Sequence, residues 1–97
     1  MLVGLNVIHD EKYQEYRKAM RPILSQFDGD FGYDFKIAEV LLSETSDTIN
    51  RVLTINFPDI KTKDAFFSNS EYLKVKEQFF EHSVESTTLI SSYEKNA

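Results

Sequence analysis

The sequence has no cysteine. That absence removes disulfides, thiolate nucleophiles and cysteine-based zinc sites together, so the fold has to rest on packing. Glycine is scarce, with three in 97 residues. That is too few for most phosphate-cradling devices, and no Gly-rich phosphate loop, His-Glu-x-x-His pair or Gly-x-Ser-x-Gly elbow occurs. Positive charge is in deficit: eleven Lys and Arg face sixteen Asp and Glu, a formal net charge of −5. Nucleic acids and anionic lipid surfaces both select a basic face, so neither is expected as a partner. There are two histidines, His9 and His82, and neither has a second histidine at helical or strand spacing. No metal site is expected, because metal ligands cluster, and no motif calls for a cofactor. No apolar run approaches ~18 residues and no basic leader precedes an apolar segment, so the expected location is cytoplasmic, without membrane contact.

What is present is an ordered change of periodicity. Leu2 to Ile8 is apolar apart from Gly4 and Asn6, as in a central strand buried on both faces. Asp10 is a good N-cap for a helix from Glu11 to Phe27, with Tyr13, Tyr16, Met20, Leu24 and Phe27 spaced by threes and fours. Pro22 falls inside this helix and predicts a kink. Asp28-Gly29-Asp30 ends it, with Gly29 expected in the left-handed conformation. Phe31 to Ser43 reads as one long strand, carrying Phe31, Tyr33, Phe35, Ile37 and Leu41 on one face, with a bulge foreseen where the other face turns apolar. Ile49 to Phe57 alternates as a third strand.

Pro58-Asp59 then starts a second helix capped by Asp59. After Ser68-Asn69-Ser70 a third helical segment aligns Tyr72, Val75, Phe79 and His82. Val84 to Tyr93 forms a last strand rich in Ser and Thr, and Glu94 to Ala97 is expected to be a frayed tail.

This β-α-β-β-α-β order predicts an α+β fold over residues 1–97 as one domain: a four-stranded antiparallel sheet with its helices on one face. A chain of this size buries only roughly 60–65% of its unfolded surface. The uncovered sheet face therefore predicts a homodimer.

Candidate functional residues come from polar groups in apolar settings. His82 shares a helical stripe with Tyr72 and Phe79. It is either a partly buried histidine satisfied by a backbone carbonyl or a proton donor and acceptor at a pocket mouth. Arg51 shares its parity with Leu53 and Ile55, so its charge needs a carboxylate or a ligand anion, with Asp34 and Glu39 the nearest candidates on the neighbouring strand. Tyr13, Tyr16, Tyr33 and Tyr72 either fill the core or turn phenols into a cleft between helices and sheet. Asn6 and Asn56 are amides in apolar strands and need partners, across a subunit contact or in a cavity.

These residues also carry a resemblance. Asp10, Tyr13, Tyr16, Pro22, Gly29, the run Arg51 to Phe57-Pro58, Ala65, and Phe66-Phe67-Ser68-Asn69-Ser70-Glu71-Tyr72 match in order and spacing from Leu2 to about Tyr93. Together they resemble the small dimeric α+β-barrel proteins catalogued as a domain of unknown function. These lie within the ferredoxin-like superfamily that includes cofactor-independent antibiotic-biosynthesis monooxygenases and muconolactone isomerases. The chain departs from that pattern at Asp28, where a glycine is usual, at Asp34 and Phe79, where arginines are common, and at Ser70, where a proline is usual. Arg51 and Lys76 remain as cations.

The resemblance implies a homodimer whose sheets face each other as a barrel, with a pocket between each sheet and its helices, and it assigns no reaction. The expected site has His82 as its base, with Arg51, Asp34, Tyr13, Tyr33 and Tyr72 around a small organic molecule. Two alternatives stand beside an unassigned activity: a cofactor-independent monooxygenase or isomerase, and a non-enzymatic ligand-sensing or assembly module.

Overall fold

The computed structural model describes residues 1–93, so the expected tail Glu94–Ala97 lies outside the described residues. Along the chain run β1 (Leu2–Val7), α1 (Asp10–Gln26), β2 (Asp30–Lys36), β3 (Arg51–Asn56), α2 (Ile60–Ser68) and α3 (Ser70–Val75). A π-helical turn (Lys76–Phe80), α4 (Glu81–Ser83) and β4 (Val84–Ser91) follow. The strands form one sheet in the order β2-β3-β1-β4, with every neighbouring pair antiparallel. This is the α+β, ferredoxin-like arrangement that the order of periodicities predicts.

The sheet register explains where the core sits. Val3 pairs with Leu53 and Leu89, Leu5 with Arg51 and Thr87, and Phe31 with Ile55, so these side chains share the helix-covered face. Against them lies the stripe of α1, with Tyr13, Tyr16, Met20 and Leu24 all buried, together with Phe66 and Tyr72. Phe66 has no exposed surface. Its ring centroid lies 4.4 Å from Tyr72, 5.1 Å from Phe67 and 5.5 Å from Phe57.

Both ends of α1 differ from expectation. The N-cap is His9, whose Nδ1 accepts a hydrogen bond from the Lys12 N–H at 3.4 Å, while Asp10 occupies the first helical turn. The reason is competition, because the Asp10 carboxylate is taken by Arg51. At the other end the left-handed residue is Asp28, at φ 55°, and not Gly29. Gly29 is required for space instead: a Cβ there would lie 2.5 Å from Leu24 Cδ1 and 3.2 Å from the Asn56 carbonyl oxygen. The helix runs through Pro22, which is exposed.

The larger correction concerns the second strand. It ends at Lys36 rather than Ser43, and β3 begins at Arg51 rather than Ile49. The register shifts between Phe31 and Asp34, where the Tyr33 N–H donates to Thr54 Oγ1 at 2.7 Å instead of to a backbone carbonyl. The bulge exchanges the faces. Asp34 turns toward the helices, while Tyr33 and Phe35 stack at 5.7 Å on the opposite face, exposed. Past Ile37, whose N–H reaches the Asn50 carbonyl, residues 38–43 continue the expected strand in sequence but have no partner strand among the described residues to satisfy their backbone. Leu41 and Leu42 are left 88% and 91% exposed.

The same segment covers part of the open sheet face. Ile49 lies over Gly4, close enough that a Cβ at Gly4 would come within 3.0 Å of its Cδ1. The strand amides find partners inside the subunit: Asn6 with Glu85 and Asn50, and Asn56 with Asp30.

Beyond α3 the π-helical turn inserts one residue, which moves the inward stripe by one position. Phe80 rather than Phe79 stacks on Tyr16, at 4.9 Å. Ser83 rather than His82 is fully buried, and its carbonyl accepts from Ile8 N at 2.8 Å and His9 N at 3.3 Å. His82 is exposed.

Candidate functional site

Between the sheet and the helices lies a cavity of about 240 Å³. Its floor is strand side chains, Val3, Leu5, Leu53, Ile55, Thr87 and Leu89. Its roof comes from Tyr13, Tyr16 and Met20 of α1, Tyr72 of α3, and Lys76 and Phe80 of the π-helical turn. The turn is what brings Phe80 inward, because a regular helix would put Phe79 there, whereas Lys76, four residues after Tyr72, already shares its face.

The Tyr16 and Tyr72 hydroxyls lie 2.9 Å apart and are buried. One donates to the other, which leaves one O–H proton without an acceptor among the described residues. Burial raises the pKa of both phenols, for Tyr16 with a further contribution from Tyr72. Burial also raises that of Tyr13. All three therefore remain neutral hydrogen-bonding groups and do not act as bases at ordinary pH. Among the described residues no Asp, Glu or His lines the cavity, and Lys76 is its one charged side chain.

A second polar centre sits on the other side of the Tyr13 ring. The Arg51 Nε donates to Asp34 Oδ1 at 3.2 Å, and its Nη1 donates to Asp10 Oδ1 at 3.0 Å. Asp34 Oδ2 in turn accepts from Arg17 Nη1 at 2.7 Å. The Arg51 guanidinium lies 4.9 Å from the Tyr13 ring centroid, and that of Arg17 lies 3.7 Å from Phe31. Burial opposes the Arg51 charge, but the Asp34 carboxylate and the hydrogen bonds to Asp34 and Asp10 outweigh it and raise its pKa. The cluster is internally paired, so Arg51 is consumed by carboxylates of its own chain. Arg17 Nε is buried without a hydrogen-bond partner.

Of the residues expected at the site, Tyr13 and Tyr72 line the cavity, and Arg51 and Asp34 meet each other behind Tyr13. Tyr33 lies on the opposite face of the sheet, and His82 lies at the exposed end of the helical region. Four residues outside that expected set join it: Tyr16, already a candidate phenol for the cleft, supplies half of the hydroxyl pair, Lys76 reaches the cavity wall, and Asp10 with Arg17 completes the ion cluster. The Tyr13–Arg17 spacing of four places Arg17 beside Tyr13 on one helix face, and that was the available signal. The Tyr72–Lys76 spacing of four is the same kind of signal, whereas the π-helical turn that positions Phe80 has no comparable mark in the sequence.

Among the described residues no group of three or more His, Cys, Asp or Glu is arranged to hold a metal ion. No helix among them is long and apolar enough to cross a membrane.

The sheet order and the cavity under its helices define a ferredoxin-like α+β protein with a chamber between its two layers. More specifically, the chain belongs to the family described as a domain of unknown function, DUF1330, whose model matches residues 1–93. No curated protein matches it. Among solved structures, a protein of unknown function from Rhodopseudomonas palustris superposes with a TM-score of 0.77 at 14% identity, over 92% of this chain and 75% of that one. Its methylated form gives 0.74. An Arabidopsis thaliana protein gives 0.63 at 10% identity, over 99% of this chain and 94% of that one. At such identities the likeness is one of fold.

Proposed function

We propose that the protein is a small-molecule-binding module, assembled as a homodimer, whose site is the cavity between the sheet and the helices. The observation that carries this reading is the cavity itself: about 240 Å³ of largely apolar wall with a buried hydroxyl pair inside it. Apolar walls with a few placed polar groups are the usual chemistry of small-ligand sites. At ~30 Å³ for each water the space corresponds to about eight waters, which bounds the ligand at about ten non-hydrogen atoms.

Binding is favoured over catalysis by what lines the wall. A cofactor-independent isomerase or monooxygenase needs a positioned base, and the cavity offers neutral phenols and an ammonium but no imidazole or carboxylate. His82, the base expected from the sequence, is exposed and outside the lining.

The homodimer is supported by the open sheet face. Val52, Thr54, Gly4 and Thr88 form its uncharged centre by their shared parity, and Tyr33, Phe35 and Ile90 beside them are exposed. An apolar face of this kind is stabilised by burial against its own two-fold copy.

Fragment-screening NMR on the isotopically labelled protein tests the site. Ligands of about ten non-hydrogen atoms should shift the amides around Tyr16, Tyr72 and Phe80, and His82→Gln should leave those shifts unchanged. Shifts confined to other surfaces would remove the cavity as the site, and loss of the response in His82→Gln would restore the catalytic reading. Light scattering during gel filtration should give twice the chain mass; a monomer at high concentration would end the dimer proposal.

A further inference from the structure

We infer that the cavity accommodates a small organic carboxylate, its apolar body against the sheet floor and its charged end between Lys76 and the Tyr16–Tyr72 hydroxyl pair. The inference rests on the binding reading above and specifies its ligand chemistry.

Three observations converge. First, the polarity of the wall has one sign. Among the described residues lining the cavity the formal charges are both positive, the Lys76 ammonium and the Met1 α-ammonium, which donates to the Ile55 carbonyl at 2.8 Å, and no carboxylate is there to repel an anion, in a chain whose net charge is −5. An apolar cleft whose charges are all positive favours an anion, so the local preference opposes that of the whole molecule.

Second, Lys76 is half-buried yet has no ion pair among the described residues. The four salt bridges found among them use Arg17, Lys36 and Arg51. An ammonium without a carboxylate, on a side chain that lines an apolar cavity, gains most from an anion brought in by a ligand. Arg51 cannot compete for it, since Asp34 and Asp10 already occupy its donors.

Third, the hydroxyl pair has a spare proton. With one O–H spent on the 2.9 Å bond between Tyr16 and Tyr72, the remaining O–H donates to whatever the cavity holds. A carboxylate has two oxygens, one for the ammonium and one for the phenol, and both bonds would be charge-assisted. Helical spacing of four puts Lys76 on the face of Tyr72, and the π-helical turn that begins at Lys76 delivers Phe80 to the same wall. Such turns recur at functional sites because they re-aim side chains that a regular helix would turn away.

The test compares matched anionic and neutral probes: benzoate against benzamide, and octanoate against octan-1-ol, by NMR titration of the whole chain. Each carboxylate should bind at least about tenfold tighter than its neutral partner, with shifts around Tyr16, Tyr72 and Phe80. In Lys76→Met the preference should fall to within about twofold while the neutral probes bind as before, and Lys76→Arg should restore it. The double variant Tyr16→Phe with Tyr72→Phe, which removes both hydroxyls, should weaken both carboxylates by about threefold or more, as expected for loss of one hydrogen bond. Equal affinity for anion and neutral partner, or an anion preference that survives in Lys76→Met, overturns the inference and leaves the binding reading standing. Failure of all four probes to reach the cavity overturns both.

Discussion

The ion cluster behind Tyr13 makes an unequal prediction about its members. Asp34 is one carboxylate shared by two guanidiniums, with side-chain exposures of 12% for Arg17, 28% for Asp34 and 8% for Arg51. Asp34→Asn removes the charge both arginines face. Arg51 keeps Asp10 at 3.0 Å, but Arg17 loses its one ion pair while its Nε is already without a partner. Breaking a fully buried pair from one side costs about 3–5 kcal/mol, and the partial exposure of Asp34 lowers this to about 2–4 kcal/mol.

In the converse change, Arg51→Met, Asp34 stays bound to Arg17 at 2.7 Å and the half-exposed Asp10 carboxylate rehydrates. The cost there should be nearer 1–2 kcal/mol, roughly that of hydrogen bonds to a charged group. The double variant Arg17→Met with Asp34→Asn should recover part of the loss, since the stranded charge is gone. Urea unfolding at fixed protein concentration measures all three, and the fall in Tm for Asp34→Asn should be roughly 8–30 °C for a domain of this size. If Asp34→Asn unfolds within 1 kcal/mol of the parent, or the double variant shows no recovery, Asp34 is not the shared anchor described above.

Other outcomes follow from the same contacts. Phe66→Ala empties the position between Phe57, Phe67 and Tyr72 and should cost about 3–5 kcal/mol in urea unfolding. Tyr72→Phe leaves the Tyr16 hydroxyl buried without a partner and should cost about 1–3 kcal/mol, whereas the double phenylalanine variant at Tyr16 and Tyr72 should cost less than the sum of the two single changes. Gly29→Ala drives a methyl into Leu24 and the Asn56 carbonyl and should destabilise by about 1–3 kcal/mol.

Asp59 caps α2 by accepting the Thr62 N–H at 2.7 Å, and hydrogen bonding to the Thr62 side chain, together with this backbone bond, lowers its pKa from the usual 3.8. A lowered folded-state pKa means its stabilisation is present above the unfolded value and fades as pH falls through the folded one. The stability difference between the parent and Asp59→Ala should therefore be constant above about pH 5 and shrink on acidification toward pH 2. A difference that stays level over that range would show that the cap does not act through its charge.

The order of elements was legible because each element carries its own local cause. The threes-and-fours spacing from Tyr13 to Leu24 makes an apolar stripe on any helix, and Asp59 caps wherever the chain turns after Pro58. The parity of Arg51, Leu53 and Ile55 put the arginine on the core side before its partners were known, and Asp34 proved to be one of them. Tyr13 and Tyr72 reached the cavity wall for the same reason, since each lies on the apolar stripe of its helix.

Composition, stripe spacing and strand parity are properties of neighbours along the chain, so the sequence by itself determined the α+β class, the strand order and most of the buried face. The tertiary structure decided everything that depends on one inserted residue. The bulge between Phe31 and Asp34 sent Tyr33 away from the helices and brought Asp34 beneath them. The π-helical turn at Lys76–Phe80 brought Phe80 to the cavity and released His82 to the surface. A single extra residue reverses faces in a strand and rotates a helix by about 100°. Its insertion is settled by which long-range contact gains more, here Thr54 against Tyr33 and Tyr16 against Phe80, and neither pair is close in sequence.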